Sequence, residues 1–191
     1  MNATKKDDSR RRILNSAGSL LRERGISGTS VAEVMGGAGM TVGGFYAHFS
    51  SKEALVAETL RDALRQSRAC LAAAAGRKSG AERVKAMSRA YLSRTHRDSP
   101  ETGCPLPATA GEAARADAAV RAVLAGELDV MAAGLAQQLA EAGAPASRSE
   151  ALALASTMVG GLTLARAVKG MPLSDEILKA CRDHIERGLP G

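Results

Sequence analysis

Apolar residues recur at helical spacing along nearly the whole chain, and no segment shows the strict alternation of a half-buried strand, so the pattern predicts an all-α fold. Ile13, Leu14, Ala17, Leu20 and Leu21 form one stripe at i, i+1, i+4, i+7 and i+8. That stripe predicts a first helix over 8–24, which Gly25 ends. A short second helix after Ser30 buries Val31, Val34, Met35 and Ala38. Gly39 then turns the chain, and Thr41 caps a third short helix ending near His48. A longer helix follows Ser50 and reaches the Gly76 region. Further helices are expected from Ser79 to about Arg97, from about Ala108 to Ala142, and from starts near Ser147 and Ser174. Breaks at SPETGCPLP (99–107), 143–145 and 170–172 separate them. The pairs Ser30/Glu33, Ser50/Glu53, Ser79/Glu82 and Ser147/Glu150 have the spacing of a capping box, in which the hydroxyl accepts from a free backbone N–H and the glutamate reaches back.

Composition sharpens this picture at a few points. A chain of 191 residues with 45% hydrophobic and 24% charged residues is expected to be a soluble globular protein of one or two small domains, which excludes disordered and collagen-like classes. No apolar run approaches the roughly 20 residues of a membrane span, and MNATKKDDSRRR leads into no secretory segment, so a cytoplasmic protein without membrane contact is expected. Cys70, Cys104 and Cys181 are odd in number and match neither a zinc site nor a CxxC, which argues against a disulfide scaffold. The formal charge of +6 favours a polyanionic partner. Of the two Phe and two Tyr, three (Phe45, Tyr46 and Phe49) fall within five consecutive positions.

Two short helices joined by a glycine-bearing turn, after a scaffold helix, have the layout of a helix-turn-helix, although an ordinary αα-corner has it too. The segment RRRILNSAGSLLRERGISGTSVAEVMGGAGMTVGGFYAHFSSKEAL resembles the DNA-binding domain of TetR/AcrR-type transcriptional regulators over about residues 9–56. The resemblance is carried by Gly25 with Thr29-Ser30-Val31, by Gly39-x-Thr41, and by Phe45-Tyr46-x-x-Phe49 followed by Ser51-Lys52-Glu53. Phe45 and Phe49 lie four apart, so they share a face that would pin the third helix to the Leu20 and Leu21 stripe. Tyr46 lies off that face, and the resemblance implies that it touches a phosphate.

The resemblance implies an N-terminal helix-turn-helix domain over 1–50 and an effector-binding and dimerisation domain over 51–191. Its DNA-binding residues would be Thr29, Ser30, Thr41, Val42, Gly43, Gly44, Tyr46, His48 and Lys52. Lys52, beside free helix-terminal amides, would position the backbone, while Thr41, Val42, Gly43, Gly44 and His48 would face the bases with little hydrogen-bonding capacity. Lys5, Lys6, Arg10, Arg11 and Arg12 would extend the phosphate-binding surface as a basic arm. The expected partner is a double-stranded, pseudo-palindromic operator with half-sites about 34–36 Å apart, or a multiple of that.

In the second part of the chain, Cys104 precedes a helix start, where free amides would stabilise a thiolate; the other reading is a small packed thiol. By resemblance, a Gly-Cys-x-Leu segment implies sensing of electrophiles or oxidants, so the effector is either an unknown small molecule or a thiol-reactive agent. Tyr91, Leu92, Leu106, Met131, Leu135, Met158 and Leu162 line an apolar pocket or fill the core. The segment 151–168 is apolar nearly all round. With the last helix it forms either a homodimer seam, through Leu152, Ala155, Val159, Leu162, Ile177, Cys181 and Ile185, or the core of a monomer. His48, His96 and His184 have no metal-ligand or triad spacing, and no phosphate loop occurs, so neither a metal, a cofactor nor an enzyme is expected. The expectation is a repressor released from its operator when an effector tilts the helix after Ser50. The alternatives are a redox enzyme using Cys104 and a nonspecific architectural DNA binder.

Overall fold

The computed structural model describes residues 2–144 and 146–190, with side chains from residue 6 onward, so Lys5 of the expected basic arm lies outside the described side chains. Among the described residues the chain is all-α. It runs through α1 (Asn2–Arg24), α2 (Val31–Gly37), a 3-10 helix (Val42–Ala47), α3 (Lys52–Ala75), α4 (Gly80–Tyr91), α5 (Arg94–Asp98), a 3-10 turn (Pro100–Thr102), α6 (Leu106–Ala113), α7 (Ala118–Glu141), α8 (Arg148–Ala167) and α9 (Pro172–Arg187).

The differences from the expected boundaries have local causes. The apolar stripe marks the buried part of α1, and the helix continues outward to Asn2 through polar turns that the stripe cannot reveal. Ser30 caps α2 as expected, accepting from the Glu33 N–H at 3.2 Å and donating to the Glu33 carboxylate at 2.7 Å. At α3 the cap is Ser51, which accepts from the Ala54 N–H at 3.1 Å, one residue later than Ser50. Ser79 precedes α4 with extended backbone but no side-chain cap bond. The single helix expected to reach Arg97 is broken at Leu92, because Ser93 caps a new helix by accepting from the His96 N–H. Asp117 likewise splits 108–142, accepting from the Val120 N–H at 2.9 Å at the head of α7. Finally, α9 starts at Pro172 rather than Ser174. Proline suits a first turn that has no use for its N–H, and buried Ser174 donates to the Ala165 carbonyl at 2.7 Å instead.

The chain packs as two compact units, residues 1–65 with 104–125 and residues 66–103 with 126–191, so α3 and α7 each supply residues to both. Ile13, Ala17, Val34, Met35, Ala38, Phe45, Phe49 and Leu55 form the core of the first unit. Its α1–α2 corner is tied to α6. Gly25 takes φ +75°, a left-handed conformation that costs L side chains energy, and the Glu112 carboxylate accepts from the Ile26 and Ser27 N–H groups that follow. Burial raises the Glu112 pKa, but the Ser27 side chain, these two amides and nearby Arg115 outweigh it and leave the group below its ordinary value.

In the second unit α8 packs along α9, and both pack on α4. A second apolar cluster joins Ala132 and Leu135 of α7 to Ala151 and Ala155 of α8. At the α5 end, Arg97 pairs with Asp98 and Asp175 at 2.9 Å each, Arg94 pairs with Asp175 at 2.6 Å, and Lys169 with Asp98 at 3.3 Å. The Arg97 hydrogen bond dominates in lowering the Asp98 carboxyl from 3.8 to about 2, against a smaller opposing effect of burial and with help from Lys169. A carboxyl lowered on folding stabilises the native state fully above its unfolded value of 3.8, and that contribution is lost as the pH falls through about 2. Carbon-detected NMR titration is expected to place the Asp98 midpoint near 2 in the parent and closer to 3.8 in Arg97→Gln.

Candidate functional site

Residues 42–47 form a 3-10 helix rather than the α-helix expected after Thr41. Gly43 and Gly44 weaken α-helical propensity, and the Gly44 N–H bonds to the Thr41 carbonyl at 3.0 Å in the tighter turn. Thr41 precedes it with extended backbone but makes no side-chain cap bond. The two phenylalanines anchor this segment: Phe45 is 1% exposed, Phe49 is 4% exposed, and their rings stack with centroids 5.8 Å apart. They join Ile13 and Ala17, with Leu20 at the margin, so the anchoring stripe is displaced toward the start of α1 from the expected Leu20 and Leu21. Tyr46 sits edge-on to Phe45 and is 76% exposed. Thr41, Val42 and Gly43 are also exposed, whereas Gly44, His48 and Lys52 are half-buried.

Of the four described cations of the expected basic arm, Arg10 and Arg12 bond back to the fold. Arg10 donates to the His48 carbonyl and to the Glu58 carboxylate, and its guanidinium lies 4.2 Å from the Phe49 ring centroid. Arg12 donates to the Ala38 carbonyl at the end of α2, beside Gly39, whose φ of +66° turns the chain there. Lys6 and Arg11 face outward, Arg11 pairing with Asp8 at 2.6 Å. Thr29 also departs from its expected role. It is 2% exposed and its hydroxyl donates to the Gly25 carbonyl at 2.7 Å, so it braces the corner instead of facing out. Ser30 is exposed and caps α2.

In the second unit, α3, α4, α7 and α8 line a partly open cavity of about 220 Å³. Of the pocket residues expected, Tyr91, Leu135, Met131 and Met158 line it. Leu92 and Leu162 are fully buried core, and Leu106, 2% exposed, belongs to the first unit. Tyr91 is held from behind: the His96 ring meets it edge-on at 4.7 Å, and His96 Nδ1 lies 2.7 Å from the Tyr91 carbonyl. Burial pushes the His96 imidazole down, opposed by that carbonyl and aided by Arg166. A carbonyl can only accept, so Nδ1 carries a proton and donates to it. The sequence reading missed Arg68, Glu127 and Gln138. Arg68 pairs with Glu127 at 2.5 Å, and no local spacing announces a pair 59 positions apart. Cys104 is 3% exposed just ahead of α6.

The expected dimer residues divide by burial. Ala155, Leu162 and Ile185 are at most 5% exposed within the chain and serve its own core. Cys181 packs under Gly161, where an added Cβ would meet its sulfur at 2.6 Å, and burial pushes its thiol up, against a smaller opposing effect of Arg182. Leu152 is 37% exposed, and Val159 and Ile177 are half-buried. Leu152, Ser156, Gly160 and Leu164 repeat every four residues along α8, with Leu164 58% exposed and open space around Gly160.

Among the described residues no cluster of three His, Cys, Asp or Glu could hold a metal ion, and no helix is long and apolar enough to cross a membrane. Residues 13–59 match the family model for bacterial regulatory proteins of the tetR family, and residues 80–182 match that for the tetracyclin repressor-like C-terminal domain. The chain belongs to the TetR family. It is a TetR-family transcriptional regulator with a helix-turn-helix head. No curated protein sequence matches it significantly. Among solved structures, the reduced form of NemR from E. coli is 20% identical with a TM-score of 0.82, over 96% of this chain and 97% of that one. A TetR-family regulator from Cytophaga hutchinsonii is 22% identical with a TM-score of 0.80, over 97% and 96%. One from Agrobacterium tumefaciens is 18% identical with a TM-score of 0.80, over 97% and 100%. These likenesses show a shared TetR fold along nearly the whole chain, including the half whose sequence reads only as helical.

Proposed function

We propose that this regulator is a homodimeric repressor that grips a pseudo-palindromic DNA operator through residues 41–48 and releases it when a small molecule enters the cavity of the second unit. The observation that carries the reading is the contrast at adjacent positions: Phe45 is 1% exposed and Tyr46 is 76% exposed, which presents the segment outward on a fixed core. Tyr46, Lys52 and the start of α2 at Ser30 position phosphates. Thr41, Val42, Gly43, Gly44 and His48 face base edges, Val42 suiting a thymine methyl group. DNA reading is assigned to 1–50, and effector binding and dimerisation to 51–191. The second copy docks on the α8 stripe of Leu152, Ser156, Gly160 and Leu164. Arg68 and Leu71 at the cavity belong to α3, whose first turn carries Lys52. An effector that prefers one setting of α3 therefore shifts the population away from the operator-bound form. Burial of Cys104 supports a small-molecule effector over a thiol-reactive one, so Cys104→Ser is expected to respond as the parent does.

Selection of bound duplexes from a random pool tests the reading. One pseudo-palindrome should emerge, held several orders of magnitude more tightly than bulk DNA, with affinity falling as salt rises. Equal binding of all duplexes would identify an architectural protein instead. Sedimentation should give about twice the chain mass of 19.7 kDa.

A further inference from the structure

We infer that Glu127 sets the charge of the ligand: by pairing with Arg68 on the wall of the cavity between α3, α4, α7 and α8, it restricts that cavity to neutral, single-ring aromatic molecules and turns away carboxylates of the same shape. This deepens the reading of the cavity as the effector site and rests on it. Size comes first. A cavity of about 150 Å³ holds one benzene ring, so the 220 Å³ here takes a ring with roughly two or three further heavy atoms. Three methionines on the wall, Met87, Met131 and Met158, present polarizable thioethers that favour contact with an aromatic ring.

Charge is the less obvious property, because Arg68 and Arg83 also line the cavity. An uncommitted arginine in an apolar pocket is a ready partner for a carboxylate, and it would make this a site for aromatic acids. Both arginines are already engaged. Arg68 is held by Glu127 at 2.5 Å, with the two side chains 28% and 10% exposed, so the pair is sheltered from solvent and its charges largely cancel at the wall. Glu127 itself stands off the wall, reaching Arg68 on α3 from α7. Arg83 Nη1 donates to the Gly76 and Lys78 carbonyls at 3.2 Å each, which sets its charge against the negative end of α3. An entering carboxylate would compete with Glu127 for Arg68 and place a second negative charge beside it in a sheltered place, a costly exchange. A neutral ring displaces nothing. The selectivity thus resides in a side chain behind the one that faces the ligand.

The test uses the full-length protein and calorimetric titration with nitrobenzene and benzoate, which match in shape and differ in charge. The parent is expected to bind nitrobenzene about tenfold more tightly than benzoate. Glu127→Gln keeps an oxygen for the Arg68 N–H but removes the negative charge, so benzoate should gain about tenfold while nitrobenzene is unchanged. Arg68→Met combined with Glu127→Leu replaces the pair by apolar side chains and should bind nitrobenzene as the parent does while still refusing benzoate, because the gain needs the arginine. Met131→Trp enlarges a side chain on the wall and should block both ligands. Benzoate binding the parent as tightly as nitrobenzene, no binding of nitrobenzene to the parent, no gain for benzoate in Glu127→Gln, or unaltered binding in Met131→Trp would each overturn the inference. Should Glu127→Gln lose its thermal transition, Glu127→Met is read in the same way, and the ranking on the parent decides in either case. Operator affinity is measured on the same samples. Nitrobenzene bound with this ranking but without effect on the operator would leave the selection by Glu127 standing and remove the effector role proposed for the cavity.

Discussion

Replacing Phe45 by Ala is expected to destabilise the protein by about 3–5 kcal/mol and to abolish operator binding, because the ring is fully buried and stacked on Phe49. Domains have only about 5–15 kcal/mol of stability in total, so thermal unfolding should register the loss as a fall of many degrees. Tyr46→Phe is the matching control. Its ring remains edge-on to Phe45 and its melting temperature should be that of the parent, while removal of one exposed hydroxyl lowers operator affinity roughly five- to tenfold. Two neighbouring aromatics thus separate folding from binding. Phe45→Ala melting at the parent temperature would show that the head is held by something other than this core.

The second large effect is expected at the α1–α2 corner. Gly25→Ala places a side chain at φ +75°, which costs about 1–3 kcal/mol, and its Cβ would lie 2.9 Å from the Ala108 carbonyl and against the Glu112 carboxylate. The clash displaces the acceptor of the Ile26 and Ser27 amides as well, so the total should exceed the backbone cost alone. Glu112→Ala removes the acceptor without the clash and is expected to cost about 0.5–1.5 kcal/mol, because the Ser27 amide is exposed and water can take the place of the carboxylate there. Denaturant unfolding of both variants checks the order, Gly25→Ala being the more damaging. Equal stabilities would show that the carboxylate and the left-handed turn act as one unit.

Much of the head was legible in sequence because its determinants are local. Four-residue spacing was enough to place Phe45 and Phe49 on one face, and Ser30 with Glu33 announced the α2 cap that the structure contains. Positions whose role depends on distant partners were not. Arg10 and Arg12 read as part of a phosphate-binding arm, yet they bind the His48 and Ala38 carbonyls, 38 and 26 residues away. Glu112 carries no sequence signal, because its partners lie 86 and 85 positions earlier. Apolar periodicity identified α8 as buried on many sides, but it does not say whether the covering surface belongs to the same chain. Leu162 and Ile185 turned out to face their own core, and Leu164 faces out. Breaks inside Ala-rich helical stretches depend on single capping groups such as Ser93 and Asp117, which periodicity overlooks.

The discontinuity of the first compact unit has a consequence for how the protein comes into being. Residues 1–65 leave the ribosome first, but their unit is completed only by 104–125, including the Glu112 carboxylate that ties down the corner after Gly25. At about 5–20 residues per second the nascent head waits some seconds for that segment. A chain ending in α4 would therefore carry the first unit without the segment that completes it, and its corner after Gly25 would lack the carboxylate that holds it.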